Sequence, residues 1–170
     1  MIIKAYFDGG NQADSSRYAV ITLAAVYGTQ RQWTKLATAW KAVLRKHTSP
    51  WLHTTECVGL AHEYSRRKGW TDMKAVAFVA DCVTVIENHV AVERDDGLIT
   101  REGIRPCTIT VILKDFRKVQ SERPNHPSIG DVLTSQCTAY CFLWGRSLRA
   151  SGYELFFDQG EPFFGHAEDR

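Results

Sequence analysis

The sequence predicts an α/β fold in which helices flank a mixed β-sheet, and three observations carry that reading. Runs of β-branched and aromatic residues stand near both ends of the chain, Ile2-Ile3-Lys4-Ala5-Tyr6-Phe7 and Tyr153-Glu154-Leu155-Phe156-Phe157. A third such run, residues 18–27, follows the first after a short polar stretch. Between these strands apolar side chains recur at helical spacing over several long segments, so helices must pack on the sheet the strands build. With 170 residues and 44% hydrophobic side chains the chain has enough apolar material for a real core, and we expect a single domain over residues 1–170.

Taken in order, the first strand hands over to Asp8-Gly9-Gly10, a carboxylate at a strand end followed by a glycine-rich turn. Residues 11–17 are small and polar and make a wide hairpin loop; the second strand follows over residues 18–27, ended by Gly28. Leu36, Ala39, Trp40, Val43, Leu44 and His47 then keep helical spacing, which predicts a helix over residues 34–47, closed by Pro50. Residues 51–70 are unusually dense in titratable groups for a connection. A second helix is expected over residues 71–88, capped by Thr71 or Asp72, with Met73, Val76, Ala77, Ala80, Val83 and Ile86 as its apolar face. Val90-Ala91-Val92 reads as a short strand that empties into a charged loop over residues 93–102.

Residues 104–119 carry two signals. Thr108-Ile109-Thr110-Val111-Ile112 has strand composition, while Ile109, Ile112, Leu113, Phe116 and Val119 keep helical spacing; the spacing, with Pro106 in a first turn, predicts a helix. Pro124 and Pro127 mark a loop. Val132, Leu133, Gln136, Cys137, Tyr140, Cys141, Trp144 and Leu148 then define a long helix with Gly152 as its C-cap, and the last strand delivers Asp158-Gln159-Gly160-Glu161.

Composition excludes several classes. A net charge of +2 does not by itself point to nucleic acid. Five cysteines without a Cys-x-x-Cys spacing suggest neither a disulfide framework nor a thiolate zinc site, and Cys137 and Cys141 read as small apolar core positions. No apolar stretch approaches the roughly 18 residues of a membrane span, and no basic region followed by an apolar one opens the chain. A protein of a reducing, cytoplasmic compartment is expected.

Asp8 and Asp158, both at strand ends, form the natural nucleus of a Mg²⁺ or Mn²⁺ site, because these ions prefer carboxylate oxygens. Glu56 is the third carboxylate, three residues after His53, a spacing that puts both side chains on one face of a helical turn. Glu161, three residues past Asp158, is either a further metal ligand or the start of a helix with Pro162. Arg66, Arg67 and Lys68 beside Trp70 join charge to a stacking surface of the kind single-stranded nucleic acid uses.

The order Tyr6-Phe7-Asp8-Gly9-Gly10, an apolar second strand, a helix carrying Trp40, His53-x-x-Glu56, and Phe156-Phe157-Asp158-Gln159 resembles the DUF3800 family of bacterial and phage proteins. The resemblance covers most of the chain through short motifs. It implies a ribonuclease H-like fold, with Asp8, Glu56 and Asp158 holding one or two Mg²⁺ or Mn²⁺ ions, His53 orienting a ligand or protonating a leaving group, and RNA or DNA as substrate. Two departures stand out. The family commonly has Asp-Glu-Ser-Gly where this chain has Asp8-Gly9-Gly10, which removes one ligand, and the family continues to a further helix with another Asp where this chain stops at Arg170, so a C-terminally incomplete version of the fold is implied. A catalytically degenerate binding or accessory protein of a mobile element is the alternative. The paired Asp8-Gly9-Gly10 and Asp158-Gln159-Gly160 also echo actin-like ATP-binding proteins, but those place the nucleotide between two subdomains and need a longer chain.

Overall fold

In the computed structural model, which describes residues 1–10, 19–95, 97 and 99–157, the chain forms two compact units. One consists of the described residues of Met1–Gln30 and Ile104–Arg170, and the other, Arg31–Gly103, is inserted into it.

The first unit is a four-stranded sheet covered by helix on one face. Strands β1 (Ile2–Gly10) and β2 (Val20–Thr29) alternate over Ile2–Asp8 and Val20–Tyr27, with Ile3, Ala5, Phe7, Ile21, Leu23, Ala25 and Tyr27 buried. Residues 105–112, expected to be helical, instead form strand β5 (Arg105–Ile112), and the helix, α4 (Leu113–Glu122), begins only at Leu113. The β-branched stretch wins because it pairs with β2 from Arg105 to Ile112, and its alternation sends Cys107, Ile109 and Val111 to the core and Thr108 and Thr110 outward. β6 (Gly152–Phe157) joins the other edge, giving the order β5-β2-β1-β6 with β1 antiparallel to β2 and parallel to β6. The mixed sheet is thus as expected.

Helix α5 (Ile129–Ser147) covers the inner face through Leu133, Cys137 and Cys141, all fully buried. Its start is locked by a capping box in which Ser128 and Asp131 exchange hydrogen bonds. Its end is not Gly152: the C-cap is Leu148, and Gly152 opens β6 instead. Gly145, inside the helix, gives up about 1 kcal/mol of helix propensity to admit a neighbour. A Cβ there would lie 2.4 Å from the Tyr153 hydroxyl, which donates to the Phe142 carbonyl.

The inserted unit begins with α1 (Gln30–His47), four residues earlier than the spacing suggested, followed by the short α2 (Thr54–Val58), two 3₁₀ turns at His62–Tyr64 and Arg66–Lys68, and α3 (Asp72–His89). Thr71 caps α3 as expected, accepting from the Lys74 amide. The expected apolar face of α3 is its outer one. Met73, Val76, Val83 and Ile86 are exposed, while Ala75, Phe78, Cys82 and Val85 are buried, because Phe78 fills the space between Tyr64, Trp70 and His47. The short strand expected at residues 90–92 is met by β3 (Val92–Glu93), and within the stretch expected as a charged loop it pairs antiparallel with β4 (Ile99–Arg101).

His47 is buried at the end of α1, and its Nε2 lies 2.6 Å from Asp81 Oδ2, which also accepts from Lys46 at 2.7 Å. These hydrogen bonds, that from His47 foremost, hold the Asp81 carboxyl below its ordinary range. A carboxylate whose folded pKa is depressed stabilises the fold above its unfolded pKa and loses that contribution as pH falls through the folded one. Asp81→Asn is therefore expected to lower Tm at neutral pH, with the gap to wild type narrowing as pH falls below about 4 in thermal circular dichroism. A gap independent of pH would refute the assignment.

Candidate functional site

Asp8 does not stand at a turn. β1 runs on through Gly10, and Gly9 and Gly10 pair with Leu23 and Thr22 of β2, so the carboxylate sits within a central strand on the face opposite α5. The strand continues because β2 supplies a full ladder opposite both glycines, which the composition of Gly9-Gly10 alone does not reveal. The Asp8 side chain is exposed and makes no hydrogen bond or ion pair among the described residues. Its surroundings are small: Ala24 is its register partner, and a Cβ added at Gly10 would meet nothing within 4 Å. Among the described residues nothing crowds this carboxylate on the face opposite α5.

The outer face beside Asp8 is built of matched pairs across β1 and β6. Lys4 and Glu154 are 2.9 Å apart, and Tyr6 stacks on Phe156 at 4.6 Å between ring centroids. On the inner face Phe7 stacks on Phe157, its register partner. These pairs fix the parallel register up to the residue before Asp8. Asp158 and Glu161 lie outside the described residues.

His53 and Glu56 belong to the inserted unit. His53 stands in extended backbone at the N-cap of α2, and its Nδ1 lies 3.5 Å from Glu56 Oε1, so the three-residue spacing does bring them together. What holds them is a side chain with no signal in the spacing. Tyr64, fully buried, donates its hydroxyl to the Trp51 carbonyl at 2.6 Å and accepts the His53 amide at 3.0 Å, stapling the backbone that leads into α2. Glu63 is occupied by Lys68 at 2.7 Å.

Arg66, Arg67 and Lys68 form an exposed 3₁₀ turn, with Arg66 paired to Asp72 at 2.9 Å. Trp70 is no stacking surface: it is 4% exposed and packs edge-on to Tyr64 within the core. Trp40 and Trp144 pack against the cores, and Trp51 is half exposed.

Among the described residues no three His, Cys, Asp or Glu side chains gather closely enough to hold a metal ion. The cysteines are free thiols of the core. Burial pushes Cys137 up to about 12 and Cys141 and Cys82 up to about 11, which keeps them protonated and inert. No described helix is long and apolar enough to cross a membrane.

One feature escapes motif reading altogether. From residue 15 to residue 55 the chain contains no Asp or Glu, and α1 lies wholly inside that stretch. A count of acids along the chain would have found it, whereas the search for adjacent cations stops at Arg66-Arg67-Lys68. No protein-family model, no curated protein and no solved structure matches this chain.

Proposed function

We propose that the chain is a divalent-metal-dependent nuclease of ribonuclease H-like fold, related to the DUF3800 proteins, that hydrolyses phosphodiester bonds of RNA or DNA. The observation that carries this reading is Asp8: an exposed carboxylate without a partner among the described residues, in the middle of a mixed sheet, on open ground made by Ala24 and Gly10. A carboxylate without a partner among the described residues has the oxygen chemistry of a Mg²⁺ or Mn²⁺ ligand. Asp158 follows by one peptide bond on Phe157, the register partner of Phe7, which Asp8 follows in turn.

Asp8 and Asp158 would hold the ion, with Glu161, three residues on, as a further carboxylate. Such an ion, when bound, polarises a scissile phosphate and lowers the pKa of an attacking water. Asp8 fits that role by itself, and the described residues do not complete a ligand set, so the reading depends on the carboxylates beyond Phe157.

The test is cleavage of labelled RNA, DNA and hybrid in Mn²⁺, together with Mn²⁺ titration by calorimetry. Asp8→Asn and Asp158→Asn are each expected to lower the rate by about 100-fold or more, the loss of roughly 3 kcal/mol of charge stabilisation, and to abolish the tight phase of Mn²⁺ binding. Cleavage that survives Asp8→Asn sinks the proposal. Nucleic-acid binding without cleavage assigns the chain to the degenerate accessory class instead.

A further inference from the structure

Helix α1 carries Arg31, Lys35, Lys41, Arg45 and Lys46 and no acidic residue. All five cations are exposed, and only Lys46 has an ion-pair partner among the described residues, Asp81. Helix stability does not explain this set. Cations in the last turn suit the helix dipole, but Arg31 stands in the first turn with no acid beside it, where a positive charge is unfavourable. Arg31 with Lys35 and Lys41 with Arg45 are moreover like-charged pairs at i,i+4, which oppose helix formation. The helix therefore carries a like-charged pattern that no described carboxylate except Asp81 offsets, and that an external anion would relieve.

The dimensions fit an extended polyanion. Arg31 and Arg45 lie about 21 Å apart along the axis at ~1.5 Å per residue, a length that passes about six phosphates of one strand of a duplex at ~3.4 Å each. At the C-terminal end Lys41 and Arg45 border an open cleft of about 540 Å³ that continues to Thr48, Ser49 and Pro50. Between the cations the solvent face shows Thr34, Thr38, Ala37 and Ala42 and no exposed large apolar side chain. A helix that lies on a membrane needs such side chains to enter the headgroup boundary, so the surface suits phosphates in water rather than lipid.

We propose that the solvent face of α1 binds the phosphate backbone of nucleic acid, without reading base sequence. This rests on the nucleic-acid substrate proposed above and locates its binding surface at Arg31, Lys35, Lys41 and Arg45 rather than at Arg66-Arg67-Lys68, whose outer two cations are already paired. Four phosphate contacts imply that affinity falls about 50-fold for single strands and about 150-fold for duplex between roughly 50 and 200 mM KCl.

The experiment is fluorescence anisotropy with a labelled ~20-nucleotide RNA and DNA in EDTA, so that no metal-dependent cleavage enters it. Replacing Arg31, Lys35, Lys41 and Arg45 by Gln is expected to weaken binding at low salt by about 30-fold or more and to flatten the salt dependence. The two double variants, Arg31→Gln with Lys35→Gln and Lys41→Gln with Arg45→Gln, each take about half of that loss on a logarithmic scale, which keeps the test usable if the fourfold variant does not fold. A control with the same charge change, Lys114, Arg117, Lys118 and Arg123 to Gln, should leave affinity within about threefold. An equal loss in that control, or binding to phosphatidylserine vesicles but to no nucleic acid, overturns the inference. If the α1 variant binds normally while metal-dependent cleavage depends on Asp8, this surface is wrong and the nuclease reading stands. If the variant loses binding while Asp8→Asn has no effect on cleavage, the surface stands and the nuclease reading falls.

Discussion

Gly103→Ala is expected to destabilise the protein by roughly 3 kcal/mol, lowering Tm by about 10 °C in calorimetry. A Cβ at this position would lie 2.1 Å from the His89 carbonyl oxygen and 2.6 Å from both the Ala91 nitrogen and the Val90 carbonyl carbon. All three are backbone atoms, so no side chain can swing aside. They are also tied down: the Val90 amide closes α3 on the Ile86 carbonyl, and Arg101 donates to the carbonyls of Val90 and Glu87. Close approach rather than an unusual φ requires glycine here. A fall in Tm under about 2 °C would mean that the end of α3 yields easily, against this packing.

Phe78→Ala should cost about 3–5 kcal/mol, the range for emptying a buried aromatic site. Phe78 is fully buried, with the Trp70 ring centroid at 5.5 Å and that of His47 at 5.0 Å, so the end of α1 and the segment leading into α3 lose a shared neighbour. The two units have separate apolar cores, which makes the damage local. Hydrogen exchange is expected to speed up across residues 31–103 while β1, β2 and β5 keep their protection. Leu133→Ala, in the other core, should give the reverse pattern. Uniform loss of protection in both variants would show that the cores do not act as separate cooperative units.

Strands β1, β2 and β6 were legible from runs of β-branched and aromatic residues, and helix α5 from apolar positions at helical spacing. α3 was not, although its existence and its cap were. It is apolar nearly all round, so spacing finds a helix without choosing the face, and only the volume of Phe78 against the aromatic pocket of Tyr64 and Trp70 decides. Residues 105–112 satisfied two periods at once, and the arbiter was a partner strand more than 80 residues away in sequence, as in the Thr22–Thr110 hydrogen bond. Local pattern cannot contain that information. Gly152 failed for a related reason: glycine marks a helix end or a strand start equally well.

The candidate site was partly legible. Asp8 is recognisable because an acid in a β-branched run is costly without a purpose, and His53 with Glu56 because three residues span a helical turn. The hydroxyl of Tyr64, which fixes the approach to that turn, could not be found from spacing. Nor could the fate of Trp70, since neighbouring cations predict exposure and the core claims the ring. The basic face of α1 shows the opposite case: its signal is the absence of acids over a long stretch, a property of the whole helix and of no motif.

The position of the insertion bears on how the chain assembles. β2 ends at Thr29 and β5 starts at Arg105, with Tyr27 and Arg105 as register partners, so residues 31–103 leave and re-enter the sheet at neighbouring strand ends. For an unfolded insertion, joining those ends means closing a long flexible loop before any sheet contact repays the lost entropy. Helices α1 and α3 form from contacts close in sequence and need no sheet for their own core. An insertion that folds first turns the long loop into a short bridge, so β5 finds β2 as one arm of a hairpin finds the other. β6, which must reach β1 from the far end of the described chain, then closes the sheet last.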